Sequence, residues 1–246
     1  MRINAKSHEA KVAYTLVEEL QNYFVQKLNV VSETLGGNKA FEAVEWLRDS
    51  GLHGGGVRFE ARDESIFNRG SVNVSQVHYD DMESKKLSSA TAISTIIHPA
   101  NPHTPSMHMH ISWTQMRDGK GYWRIMADLN PSLIEESGAD KEAFSMTLKE
   151  VTKDLYEEGA AQGDRYFNIP VLERTRGVSH YYLEGYNSGD FEADRDFAKR
   201  VGEAVIDRYI AIITQKISTM PQFDEEEKVK QVAYHTLYFF QVLTLD

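Results

Sequence analysis

The segment Ile97-His98-Pro99-Ala100-Asn101-Pro102-His103-Thr104-Pro105-Ser106-Met107-His108-Met109-His110 holds four of the chain's nine histidines and three of its six prolines. Histidine is the side chain whose ordinary pKa lets it change charge near neutral pH. Each proline fixes φ and removes one backbone donor, so this loop is stiff. Proton-handling groups on a stiff loop, set before an apolar alternating segment, point to a pre-organised site for proton transfer or for a metal ion.

His108 and His110 are two apart, which in a strand puts both imidazoles on one face. Joined by His98 or His103 they would offer three nitrogens, enough for a metal centre. The competing reading leaves one histidine satisfied in the core and another on the loop surface. A strand-borne His-x-His oxygenase centre calls for a carboxylate a few residues on. The nearest is Asp118, inside a turn, with Ser112 and Trp113 between. Asp128 closes the segment Tyr122-Trp123-Arg124-Ile125-Met126-Ala127 and precedes Leu129-Asn130-Pro131. A carboxylate at a strand end can accept N–H bonds from a ligand, or it can cap the turn before Pro131. Gly54-Gly55-Gly56 permits close backbone approach but lacks the spacing of a nucleotide-binding loop. Arg58, Lys85, Lys86, Arg117, Arg124, Arg174 and Arg176 lie near these segments, and Arg176 is the candidate for holding a carboxylated ligand.

The elements that must carry these groups follow from periodicity. Apolar residues at spacings of three and four predict a helix over 8–30, with Ser7 as its N-cap. A second helical pattern runs from Ala40 to Leu47. Strands are predicted over 57–79, 89–98, 107–116 and 122–128, the last two joined by the turn Arg117-Asp118-Gly119-Lys120-Gly121. An aromatic strand follows Arg176-Gly177-Val178. Helices return over 139–156, 191–217 and 225–233, and the apolar, β-prone segment 238–245 reads as a terminal strand. The order predicts an α+β fold, a large mostly antiparallel sheet flanked by helices on both faces, as one domain over 1–246.

Bulk composition narrows the function. Apolar residues at 41% and charged ones at 26% suit a packed globular domain. A net charge of −10 argues against binding nucleic acid by phosphate neutralisation. With no cysteine there is no disulfide, thiolate nucleophile or thiolate metal site. Neither a signal peptide nor an apolar run of spanning length is present, which predicts a cytoplasmic protein.

These residues together resemble the oxygen-dependent coproporphyrinogen III oxidases. Ser94-Thr95-Ile96-Ile97-His98-Pro99-Ala100-Asn101-Pro102-His103-Thr104-Pro105-Ser106-Met107-His108 matches the family's serine, HPxNP and PxxH signature. Gly54-Gly55-Gly56, the run Val72 to His78, Ala127-Asp128-Leu129-Asn130-Pro131, Asp164-Arg165-Tyr166-Phe167, Arg176-Gly177-Val178 and Val201-Gly202-Glu203-Ala204 follow in the family's order. The resemblance implies oxidative decarboxylation of two propionates of coproporphyrinogen III to vinyl groups. O₂ is consumed, and protoporphyrinogen IX and CO₂ are formed. It also implies a homodimer built on a flat antiparallel sheet between helical layers. By position, His108, Asp128 and Asp246 are implied catalytic residues, Asp246 matching an aspartate that binds pyrrole N–H groups. Ser94, His98, His110 and Arg176 are implied to bind substrate.

The chain departs from the family pattern at several positions. Of the four histidines assigned to a metal in some bacterial members, two are replaced by Ser145 and Val171, so neither a metal nor another cofactor is expected. An asparagine and an arginine of the family stand as His110 and Ser112 here, and a glycine-rich stretch stands as Ser179-His180-Tyr181-Tyr182. Family members continue past the position of Asp246 with Arg-Gly-Thr, so a C-terminal segment of the family is expected to be lacking. The other function open to such a chain is a catalytically silent tetrapyrrole-binding protein on the same fold.

Overall fold

The computed structural model describes residues 1–170 and 173–245, with side chains to Tyr238 at the C-terminal end. Helix α1 (His8–Thr34) begins where Ser7 Oγ accepts the Ala10 N–H, the expected N-cap. It buries Leu16, Val17, Leu20, Phe24 and Leu28, and the Gln21 side-chain amide donates to the Val57 and Val72 carbonyls, both at 2.8 Å. That fixes the helix against the sheet.

The sheet has seven strands: β1 (Glu42–Leu47), β2 (Gly54–Glu60), β3 (Phe67–His78), β4 (Leu87–Pro99), β5 (Ser106–Met116), β6 (Gly121–Asn130) and β9 (Ser179–Tyr186). Every neighbouring pair is antiparallel. The helices are α2 (Gly138–Thr152), α3 (Tyr156–Tyr166), α4 (Phe191–Thr219) and α5 (Glu225–Leu245), and β7 (Asn168–Ile169) pairs with β8 (Arg174–Thr175) beside the sheet.

Period-two alternation splits the sheet into unlike faces. Val72, Val74, Ile93, Ile97, Met107, Met109, Ile111, Trp113, Trp123, Ile125, Ala127 and Leu129 form the apolar face, packed in one core with α1 and with Phe197, Val201, Val205, Ile206, Tyr209 and Ile213 of α4. The other face carries the alternate, polar positions, among them Asn73, Ser94, His110 and Asp128, and α5 lies across one end of it. Gly202 lets α4 approach closely: a Cβ there would sit 2.9 Å from Leu20 Cδ1 and 3.0 Å from Ile111 Cδ1.

Three expectations are corrected. Residues 40–47, expected as helix, include strand β1. Trp46 pairs with Gly56, whose missing side chain makes room for the indole, and Trp46 Nε1 donates to Asn73 Oδ1 at 3.0 Å. A tertiary partner outweighs the local helical spacing. The helix expected over 139–156 stops at Thr152, where Lys153 takes φ 50°, and α3 starts afresh at Tyr156. Residues 225–245 form one helix instead of a short helix and a terminal strand. Asp224 Oδ1 accepts the Glu227 N–H at 2.9 Å and Glu227 Oε2 accepts the Asp224 N–H at 2.8 Å, a reciprocal cap that launches it. Gln231, Tyr234 and Tyr238 then meet the body at helical spacing, through Pro99, Asn130 and His108 respectively.

Candidate active site

Strand register assembles the site. Ser94 lies opposite His110, Ile96 opposite His108, His108 opposite Asp128, and Ser112 opposite Arg124. With His98 two residues beyond Ile96, all face the side of the sheet away from α1 and α4. Of the predicted site residues, Ser94, His98, His108, His110, Asp128 and Arg176 are thus brought together. Asp246 lies outside the described residues, as does Val171.

The deepest layer is closed. His98 Nε2 and His108 Nε2 are 2.9 Å apart with rings at 74°. The Asn130 amide stands 3.2 Å from His108 Nδ1 and donates to it, which leaves Nε2–H of His108 to donate to His98; this tautomer follows from the network. Burial and neighbouring positive groups push His98 down to about 2. His108 is also lowered, chiefly by burial, with Asp128 opposing. Both imidazoles are therefore neutral at ordinary pH.

Asp128 is fully buried, and its Oδ2 accepts from Arg176 Nε at 2.9 Å and Nη2 at 2.7 Å. Burial works to raise the carboxyl, but the Arg176 guanidinium outweighs it and holds the group below its usual range. Among the described residues, Asp128 Oδ1 has no hydrogen-bond partner. It points at Gly177, where φ is +71° and a Cβ would lie 2.4 Å from that oxygen, so only glycine fits. The Arg176 guanidinium is held between the Phe167 ring (4.7 Å) and the Tyr238 ring (4.8 Å). Tyr238 also stacks on His108 at 4.6 Å, and His235 stacks on His98 at 4.6 Å.

Above this layer is a cavity of about 230 Å³ lined by Ser94, Ile96, His108, His110, Arg124, Met126, Tyr166, Arg176, Tyr182 and Tyr238. Ser94 Oγ and His110 Nδ1 are hydrogen-bonded at 2.8 Å. Burial, then Arg124, lowers His110 to about 4, against Glu184. Arg124 donates to both Glu184 oxygens and Tyr182 donates to one, while Tyr166 stacks on Tyr182 at 4.2 Å. Across Tyr238 a second cavity, about 510 Å³, is bordered by Arg58, Arg62, Arg69 and His98 together with Glu60 and Glu64, and Glu60 pairs with both Arg58 and Arg62.

The histidines do not converge as a metal set. Ring nitrogens of His108 are taken by His98 and Asn130, and Nδ1 of His110 by Ser94. Ser145 Oγ is bonded to Ser179 Oγ at 2.7 Å. Among the described residues, one histidine–carboxylate group has its ligating atoms within 4.8 Å: His103, Glu136 and Glu227. There Glu136 meets Nδ1 at 2.9 Å and Glu227 meets Nε2 at 3.4 Å. Glu136 and Glu227 thus hold the ring from its two nitrogens.

Asn130, Tyr182, His235 and Tyr238 are site residues that sequence reasoning missed. Asn130 was within reach of it, because it lies two residues beyond Asp128 on the same strand face. His235 and Tyr238 were hidden because the helix was expected to end at 233 and 238–245 to form a strand.

A family model described as coproporphyrinogen III oxidase matches residues 12–243. A rat (Rattus norvegicus) protein named oxygen-dependent coproporphyrinogen-III oxidase, mitochondrial, is 30% identical over 198 residues, covering 70% of this chain and 44% of the relative. The chain thus spans less than half the length of that curated relative. Among the described residues, no helix is long and apolar enough to cross a membrane.

Proposed function

The chain belongs to the coproporphyrinogen III oxidase family, and from that premise we propose that it oxidatively decarboxylates propionate side chains of coproporphyrinogen III to vinyl groups with O₂. The observation that carries this reading is the polar sheet face itself. Ser94, His110, Arg124 and Arg176 border one cavity, three further arginines with Glu60 and Glu64 border the next, and the apolar face is closed off by α1 and α4. An anionic, N–H-rich tetrapyrrole suits a face of arginines, imidazoles and tyrosine rings.

Each turnover removes CO₂, one proton and two electrons from a propionate, leaving a vinyl group. O₂ takes the two electrons and two protons to become H₂O₂. The chain's residues have to hold the carboxylates, seat the ring and move the proton at the carbon next to the pyrrole. Arg176, fixed by Asp128 and two aromatic rings, is a rigid anchor whose remaining N–H groups can meet a carboxylate. Electron-rich porphyrinogen supplies the electrons, so the reaction is proposed to run without a resident metal, on a homodimer.

Purified protein supplied with coproporphyrinogen III in air tests this. The expected products are protoporphyrinogen IX, CO₂ and H₂O₂, with none formed under argon and an unchanged rate after chelator treatment. Porphyrin binding without product would select the silent tetrapyrrole-binding reading, and loss of activity with chelator would overturn the metal-free one. Light scattering at twice the 28.0 kDa chain mass checks the dimer.

A further inference from the structure

The two imidazoles that line the smaller cavity are in opposite situations. His108 is 3% exposed, with Nε2 on His98 and Nδ1 on Asn130. Neither nitrogen is left for a ligand. His110 binds Ser94 Oγ through Nδ1, and no described protein group hydrogen-bonds its Nε2. A group that takes a proton from a ligand must present a lone pair within hydrogen-bond reach of it. Among the imidazoles on this cavity, His110 alone does so.

We propose that His110, fixed by Ser94, is the base that takes the proton from the substrate side chain, and that His108 is a positioning residue beneath it. This rests on the proposed decarboxylation. With Nδ1–H donating to Ser94 Oγ, Nε2 carries the lone pair. The C–H bond next to the pyrrole breaks and its proton goes to Nε2, giving an imidazolium held by Ser94. The bond to the carboxylate breaks and CO₂ leaves. Of the two electron pairs released, one becomes the vinyl π bond and the other reduces O₂, which takes up the His110 proton and one from solvent to give H₂O₂. Burial keeps His110 neutral at pH 7, the form in which it can accept. The asparagine of the family pattern at this position has no such nitrogen, so this assignment belongs to the present chain.

Diethyl pyrocarbonate, which acylates accessible unprotonated imidazole nitrogens, tests the geometry without turnover. At pH 7, peptide mapping is expected to find His110 modified, coproporphyrin to protect it, and His108 to stay unmodified. In turnover, His110→Gln is expected to lower kcat at least ~100-fold with KM within ~3-fold, and Ser94→Ala to lower kcat about 10-fold. Modification of His108 with His110 untouched overturns the proposal. So does a His110→Gln enzyme that keeps most of its kcat, or one whose loss is all in KM. If the wild-type protein forms no product, the functional reading fails, and the labelling pattern alone decides which imidazole the cavity presents.

Discussion

At the scale of single residues, the site rests on groups kept neutral or paired by burial. Asp128 and Arg176 are 0% and 9% exposed and hold each other. Removing one partner strands a charge away from water, so Arg176→Met is expected to cost about 3–5 kcal/mol in denaturant-derived stability. Asp128→Ala, which strands the guanidinium, should cost a similar amount, because this carboxylate serves the fold as well as any ligand. The histidines predict an acid sensitivity. His98 and His110 have folded pKa values near 2 and 4, below an unfolded value near 6.5. For a base depressed on folding, the unfolded chain binds the extra proton, so its stability is fully present above pH 6.5 and is lost as pH falls towards the folded value. Between pH 6.5 and 4.5 each of the two should remove about 1.4 kcal/mol per pH unit. Thermal melts of wild type should fall over that range, and His98→Gln should flatten the slope by about one proton. The period of two told that His108 and His110 share a face, while Ser94 came from the family resemblance and, with Asp128, joins that face only through the register between strands. The sequence could not tell which ring nitrogen is occupied, because that depends on Asn130 and on register between strands.

At the scale of elements, the chain was readable where local chemistry and tertiary contacts agree. Helix α1 with its Ser7 cap, the β5–β6 hairpin and α4 are such cases. It was misread where a distant partner decides. Strand β1 exists because β2 offers glycines under Trp46 and Leu47. Helix α5 carries β-prone residues, yet its start is written in Asp224-Glu225-Glu226-Glu227, a capping signal that the apolar tail overshadowed. The cap makes a local prediction. Asp224→Ala should cost about 1 kcal/mol, read as faster hydrogen exchange of the first-turn amides of α5. Because Tyr238 on the same helix covers His108 and braces Arg176, the variant should also loosen porphyrin binding modestly, while the amides of α1 keep their exchange rates.

At the scale of the whole molecule, a seven-stranded meander divides labour between its faces. The chain carries a net −10, yet Arg58, Arg62, Arg69, Arg124 and Arg176 all border cavities on the polar face. Arg58 and Arg62 pair with Glu60, Arg124 with Glu184 and Arg176 with Asp128, so these arginines offer an anionic ligand directed N–H donors and not a net positive field. The apolar face has no part in that chemistry and supplies stability through α1 and α4. The two roles are therefore separable by mutation. Gly202→Ala forces a methyl against Leu20 and Ile111 where contacts would be 2.9–3.0 Å, and overpacking of this kind costs about 1–3 kcal/mol. Its Tm should drop while the Kd for coproporphyrin stays within twofold, because strands β4 to β6 keep their register. Ser94→Ala removes one hydroxyl on the opposite face, so it should leave Tm nearly unchanged and depress turnover. If Gly202→Ala weakened binding as much as it lowered Tm, the site would depend on core packing beneath the sheet, and the separation of faces would be wrong.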